Sequence, residues 1–288
     1  NRLLIPTVVE AIGHGKINRS TAGRLIRPAA NEAIPLLIAA LDREDNASQS
    51  RIAEAIAGMP KESLPFLAKA FAHESSRIRA GVAYTLGSYP FWKINREAAS
   101  ALLPFLRDED AEVRLRAAES FVRIGVVTAD VTVPVLIEFL SDKQATRRLR
   151  ALNTLTVIGP AAHASVQELL KTLGDEQMDV RILAAVALVS IDKSQGPATL
   201  STFEAAFESQ SLQSRAAMEA VGELGSVADQ LTDSIVEIIG RPLDRINVGF
   251  QLSSAEALIK ISDSKAHLGV TKLTEILVTK IRSNKCLF

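Results

Sequence analysis

The chain repeats itself, and no other feature constrains its fold as strongly. Val113–Gly125 defines a thirteen-residue frame, V-R-x-R-A-A-x-x-F-x-x-I-G. The frame returns at 78–90 (IRAGVAYTLGSYP), 147–159 (RRLRALNTLTVIG) and 180–192 (VRILAAVALVSID). Looser copies lie at 48–60 (SQSRIAEAIAGMP), 213–225 (QSRAAMEAVGELG) and 250–262 (FQLSSAEALIKIS). The copies end at residues 60, 90, 125, 159, 192, 225 and 262, at spacings of 30, 35, 34, 33, 33 and 37. A period in this range is the signature of small units that bury their apolar faces only by stacking on one another.

A second pattern precedes each copy. AIPLLIAALD (33–42), SLPFLAKAFA (63–72), ALLPFLRDED (101–110) and TVPVLIEFLSD (132–142) share a proline and a stripe of leucine or phenylalanine, and ASVQELLKTLGD (164–175) keeps the stripe alone. The stripe falls at i, i+3, i+4 and i+7, the spacing of one apolar helix face. Proline is expected in the first turn, where its missing N–H has no intrahelical partner. Each unit therefore reads as helix A, turn, helix B, turn. Asp110 is the expected N-cap of its helix B, and Gly125 and Gly159 are expected to end theirs in a left-handed conformation. Aromatic residues make up only 5% of the chain, so alanine, leucine, isoleucine and valine must do the packing. The alanine pairs 117–118, 184–185 and 216–217 suit close helix approach. No segment alternates at period two as a strand would.

The proline-bearing first helix, the acidic turn and the V-R-x-x-A-A-x-x-L-x-x-I-G second helix resemble the HEAT-repeat family, closest to its short bacterial, phycobilisome-lyase-type variety. The resemblance is best over residues 98–192 and extends over 32–262. It implies an all-α, right-handed α-solenoid of about eight helical hairpins, an armadillo-like superhelix. Residues 1–288 are then one solenoid: an N-terminal capping unit at 1–30, regular repeats at 31–262 and a C-terminal capping helix at 263–288. Such an architecture serves scaffolds, transport factors, lyase subunits and DNA-repair enzymes, so it says little about function.

Arg79, Arg114, Arg148 and Arg181 occupy one repeat position, and Asp108, Asp142 and Asp175 occupy the preceding turn. The resemblance implies a ladder of exposed acid–arginine rungs, each worth about 0–1 kcal/mol. The apolar positions of helix B (113, 117, 118, 121 and 124) face the core, which leaves 112, 116, 119, 120 and 123 for the outer, concave side. In that register the candidate partner-binding residues are Tyr84, Arg116, Glu119, Arg123, Arg150 and Asn153. Arginine dominates the middle of this face, and Glu219, Glu223 and Glu256 make its C-terminal third acidic. Arginine and tyrosine are favoured in binding hot spots; the alternative is a solvated helix face.

Three inserts stand outside the repeat, one of them GRPLDRINVGF (240–250), which lengthens the last turn and carries Arg241 and Arg245. GSYPFWKINRE (87–97) gathers Tyr89, Phe91 and Trp92 beside Tyr84, either as an aromatic partner-binding patch or as a lid on the seam between units. GHGKINRSTAGR (13–24) lacks G-x-x-x-x-G-K-[ST] and follows no strand, so a phosphate loop is not expected. Lys+Arg and Asp+Glu number 33 each, and residues 1–144 carry 18 basic and 17 acidic groups against 15 and 16 in 145–288. That balance argues against a dedicated nucleic-acid or membrane-surface binder. Charged and polar residues interrupt every apolar run, so no membrane span is expected.

The single cysteine, Cys286, allows neither an intramolecular disulfide nor a cysteine metal cluster. One cysteine and no visible signal favour the cytoplasm, and the start at Asn1 is expected of a fragment or processed product.

Three enzyme classes use HEAT-like folds. Deoxyhypusine hydroxylases hold iron on His-Glu dipeptides after the helix-B arginine; the matching pairs here are Ala80-Gly81, Leu115-Arg116, Leu149-Arg150 and Ile182-Leu183, none of which can ligate a metal. A HEAT-like DNA glycosylase needs a basic groove and a catalytic acid, against which the zero net charge argues. A bilin lyase subunit works through partners and needs no visible catalytic cluster. The expectation is thus a non-catalytic scaffold that binds a protein along its concave helix-B face, without cofactor or metal. The alternatives are an accessory subunit of an enzyme such as a bilin lyase, or a HEAT-like DNA-binding or repair protein.

Overall fold

The computed structural model describes residues 4–42, 45–88, 95–125, 129–209, 213–242 and 248–285. Among them there are helices and turns and no strand. The chain divides into two compact units, Asn1–Leu136 and Ile137–Phe288.

The first unit contains α1 (Ile5–Gly13), α2 (Arg19–Ile26), α3 (Ala30–Ala40), α4 (Asn46–Ala57), α5 (Pro60–Ala70), α6 (Ser76–Gly87), α7 (Asn95–Leu102) and α8 (Ala111–Arg123). Helix α9 (Ala129–Glu138) carries the boundary. The second unit contains α10 (Ala145–Ile158), α11 (Val166–Thr172), α12 (Met178–Ile191), α13 (Gly196–Ser209), α14 (Ser214–Leu224), α15 (Thr232–Gly240), α16 (Val248–Ile261) and α17 (Ala266–Lys285).

In each unit the B helices stack in chain order. Helix α4 packs on α6 and α6 on α8; separately, α10 packs on α12, α12 on α14 and α14 on α16. The expected core positions of α8 are all buried: Val113, Ala117, Ala118, Phe121 and Ile124. Where B helices meet, side chains are small. A Cβ added to Gly87 of α6 would stand 2.5 Å from the Ser120 Cβ of α8, and Ala255, Ala257 and Leu258 join Ala217, Met218 and Val221 in one buried cluster of the second unit. Phe71 and Phe105 meet edge to face at 5.1 Å, filling space in the first unit that alanine-rich helices leave.

Asp110 caps α8, its carboxylate accepting from the N–H groups of Glu112 and Val113. Asn18 caps α2 in the same way through Thr21, so the glycine-rich segment before it is a helix junction. Gly125 and Gly159 have φ of 73° and 65°. At Gly159 a ψ of −140° leaves the left-handed helical region for one that only glycine enters readily. The prolines differ from expectation. Pro35, Pro65 and Pro134 lie inside α3, α5 and α9, because each helix begins a turn or more upstream of its proline. Pro104 instead opens the 3-10 turn Leu103–Arg107 that follows α7.

The repeated arginine position has a job that recurs through the fold. Arg79 Nη1 donates to the carbonyls of His73 and Glu74, and Arg114 to those of Asp108 and Glu109. In the second unit Arg148 serves Asp142 and Lys143, and Arg181 serves Asp175 and Glu176. Each guanidinium thus closes the A–B turn before its own helix and satisfies carbonyls that a helix end leaves unpaired. In the looser copies other donors take over. Gln49 donates to the carbonyls of Leu41 and Arg77, Ser214 to Ala206 and Gln251 to Arg241.

The rungs of the ladder are not the exposed pairs expected. Arg79 binds Asp108 of the next hairpin at 2.8 Å (Nε to Oδ2) and 2.9 Å (Nη2 to Oδ1), and only 9% and 11% of the two side chains is exposed. Arg148 and Asp175 form the equivalent ion pair in the second unit, with one hydrogen bond of 3.0 Å from Nη2 and Nε 2.9 Å from the other carboxylate oxygen. Burial follows from geometry. The arginine must reach back over its own turn to the carbonyls, and that draws the pair beneath the surface.

Candidate functional site

The first candidate site forms where α6 and α8 lie side by side in the first unit. Tyr84 projects from α6, half-buried. Arg116 and Arg123, two turns apart on α8, both reach its ring. Their guanidinium carbons stand 5.2 Å and 4.4 Å from the ring centroid, within cation–π range. The two arginines differ in every other respect. Arg116 is 8% exposed and pairs with Glu112 at 3.0 Å. Arg123, the last residue of α8, is exposed. Glu119 sits between them, half-buried and itself engaged.

Arg116 and Ser120 were expected on the outward row and are buried instead, Ser120 completely. That row turns toward the preceding B helix, where Ser120 meets Gly87. Thr154 of α10, in the register of Ser120, is likewise buried. The outward surface of helix B is therefore narrower than the pattern implied, and in α8 that row keeps Glu112, Glu119 and Arg123.

The second candidate site lies wholly in the second unit. An open groove of about 670 Å³ crosses α10, α12, α14 and α16. Asn153 and Thr156 stand at one end, Leu183, Val186 and Val189 form an apolar stretch, and Glu219, Glu223, Glu256 and Lys260 stand at the other end. Val157, on the exposed face of α10, is 72% exposed. Two of the carboxylates at the acidic end, Glu219 and Glu223, are paired. Glu223 lies 3.1 Å from Lys193 and 2.9 Å from Lys260, and Glu219 lies 2.9 Å from Arg215. The bonds from Lys260 and Lys193 hold the Glu223 carboxyl below its usual range, and Glu223 in turn raises the Lys260 ammonium. The groove is amphipathic.

The structure thus brings Tyr84, Arg116 and Arg123 together and places Glu119 between the arginines. It puts the exposed Asn153 in the groove of the second unit, with the half-buried Arg150 one turn before it on α10. Tyr89, Phe91 and Trp92 lie outside the described residues, as does Cys286. Lys193, Val186 and Ser190 also line the groove. Val186 was legible in principle, because it stands in the register of Tyr84 and Asn153; Lys193 follows the repeat frame and carried no such signal. Among the described residues no three His, Cys, Asp or Glu side chains gather as a metal site, and no helix is long and apolar enough to cross a membrane.

Residues 34–122 match the family model for HEAT repeats. Over this stretch the chain is similar to HEAT repeats. The stretch covers α4, α6 and α8, where arginine or glutamine closes each A–B turn. Solved HEAT-like structures extend the likeness along the chain. A crystal structure of an engineered protein is similar over 94% of this chain and 77% of its own, at 18% identity and a TM-score of 0.55. The crystal structure of Kap121p bound to Pho4p is similar over 98% of this chain and 36% of its own, at 13% identity and a TM-score of 0.60. The complex of CpcE and CpcF of phycocyanin lyase from Nostoc sp. PCC7120 is similar over 84% of this chain and 94% of its own, at 20% identity and a TM-score of 0.48. No curated protein matches the sequence.

Proposed function

We propose that the chain is a non-catalytic interaction scaffold that holds a partner polypeptide against its B-helix faces. The observation that supports this most directly is the groove of the second unit. Four successive B helices line it. At about 8–10 Å between neighbouring helix axes, crossing them takes about 24–30 Å, or about eight extended residues at roughly 3.3 Å each. Its walls offer both apolar surface and polar groups, as a polypeptide requires. At the level of fold alone, the similar Kap121p structure is that of a protein bound to another, Pho4p. In the first unit Tyr84, Glu119 and Arg123 form the corresponding face, with the buried Arg116 in reach of the same ring; Arg150 and Asn153 belong to the second.

A photo-crosslinking amino acid placed at Asn153 or Glu256 in the groove, and at Glu237 on α15 as a control, tests this in extracts of the source organism. The groove positions should capture one polypeptide that Glu237 does not, identified by mass spectrometry. Equal capture at all three positions, or none, overturns the proposal. A tetrapyrrole absorbance band in the native protein would favour the accessory-subunit alternative.

A further inference from the structure

Arg123 is set apart from the other helix-B arginines by what its donors do. Arg79 and Arg148 spend theirs on turn carbonyls and a carboxylate. Arg114 and Arg181 close turns, and Arg51 donates twice to the Gly13 carbonyl. Arg116 pairs with Glu112. Arg123 is exposed, and its structural contact is the Tyr84 ring at 4.4 Å. A guanidinium lying over an aromatic ring satisfies its flat face and leaves its in-plane N–H donors open. The ring also restricts the long side chain, so less entropy is lost when those donors are used. Its charge has no carboxylate opposite it among the described residues.

We propose that the Tyr84–Arg123 stack is a receptor for a carboxylate side chain on an acidic segment of the partner. The group that complements an open guanidinium fork in charge and shape is a carboxylate, bound by two parallel charge-assisted bonds. Arg116 contributes from the side: at 5.2 Å from the same ring, with its own charge answered by Glu112, it helps hold the tyrosine without competing for the ligand. Lysine in place of Arg123 keeps the charge and loses the fork. This inference rests on the scaffold proposal and adds the chemistry of what the first unit reads.

The test uses a fluorescein-labelled decapeptide of alternating Ala and Glu, with analogues carrying Gln or Lys in place of Glu, and reads fluorescence polarisation. The Glu peptide should bind the full chain about tenfold or more tightly than either analogue. R123Q and R123K should each weaken it by about tenfold or more, as should Y84L, while Y84F keeps the ring and the binding. Arg123 is exposed, so R123Q should leave the helical circular-dichroism signal and melting temperature unchanged. No binding of the Glu peptide to the wild-type chain, equal binding of the three peptides, or indifference to R123Q each overturns the inference. If groove crosslinks succeed while R123Q has no effect, the carboxylate receptor falls and the scaffold stands. If R123Q abolishes peptide binding while no groove crosslink forms, the scaffold proposal falls alone.

Discussion

Arg79 holds Asp108 of the following hairpin through two nearly parallel bonds of 2.8 Å and 2.9 Å while its Nη1 closes the turn at His73 and Glu74. One side chain thereby joins its own turn to the next unit. The pair is almost wholly withdrawn from water, so removing Asp108 leaves the buried Arg79 with only the exposed Glu109, at 3.4 Å, to answer its charge. Asp108→Ala should therefore cost about 3–5 kcal/mol, measured by urea unfolding. Replacing both partners with apolar residues of similar volume, as in R79M with D108L, should recover part of that loss, with the His73 and Glu74 carbonyls still unserved.

The same pair sets a pH dependence. Burial raises the Asp108 carboxyl, but the bonds from Arg79 and from the Asp110 N–H, with the positive charges of Arg79 and Arg114, outweigh it and leave the group below its usual range. The bond to Asp108 raises Arg79 in turn. A carboxyl lowered on folding stabilises the native state above the unfolded value of about 3.9, and that contribution is lost as pH falls through the lower native value. Urea midpoints should thus fall below about pH 4, and D108N should show a shallower fall over the same range.

Gly87 and Ser120 mark the tightest contact between α6 and α8. A methyl on Gly87 would stand 2.5 Å from the Ser120 hydroxyl and 2.8 Å from its Cα. The Cα is backbone, so no rotamer change relieves the clash. Gly87→Ala should destabilise by about 1–3 kcal/mol despite the better helix propensity of alanine, as thermal melts would show.

Ser120 carries the opposite prediction. Its hydroxyl is buried and has no hydrogen-bond partner among the described residues. Ser120→Ala removes an unsatisfied polar group and eases the contact with Gly87, so the chain should gain stability, by up to about 1–3 kcal/mol. A loss in urea midpoint would show that the hydroxyl has a partner, such as a bound water.

Glu223 is bonded to two lysines and is nonetheless a weak brace. All three side chains are more than half exposed, and solvent screens such pairs. Glu223→Gln should change unfolding free energy by less than about 1 kcal/mol, whereas D108N changes it by more. Equal effects would contradict the distinction between buried rungs and exposed pairs.

The hairpin order, the caps and the core were legible in residues such as Asp110, Val113 and Phe121, because helix periodicity and capping act within a few residues along the chain. Turn closure was not legible: the arginine position was expected to form acid–arginine rungs, whereas the structure shows it closing turns, with Gln49, Ser214 and Gln251 at the same position in the looser copies. The proline positions were misjudged because a proline reports where a helix loses a donor, and upstream residues decide where that helix begins.

What the sequence by itself determined is the unit: two helices, a turn, and an apolar face that needs a neighbour. Tertiary structure alone decided which polar side chains of helix B remain outside. Arg116 and Arg123 are indistinguishable as letters, yet one is buried with Glu112 and the other stands open over Tyr84. Exposure depends on how closely the neighbouring helix approaches, and that distance is set by a glycine and a serine from two different repeats, Gly87 and Ser120.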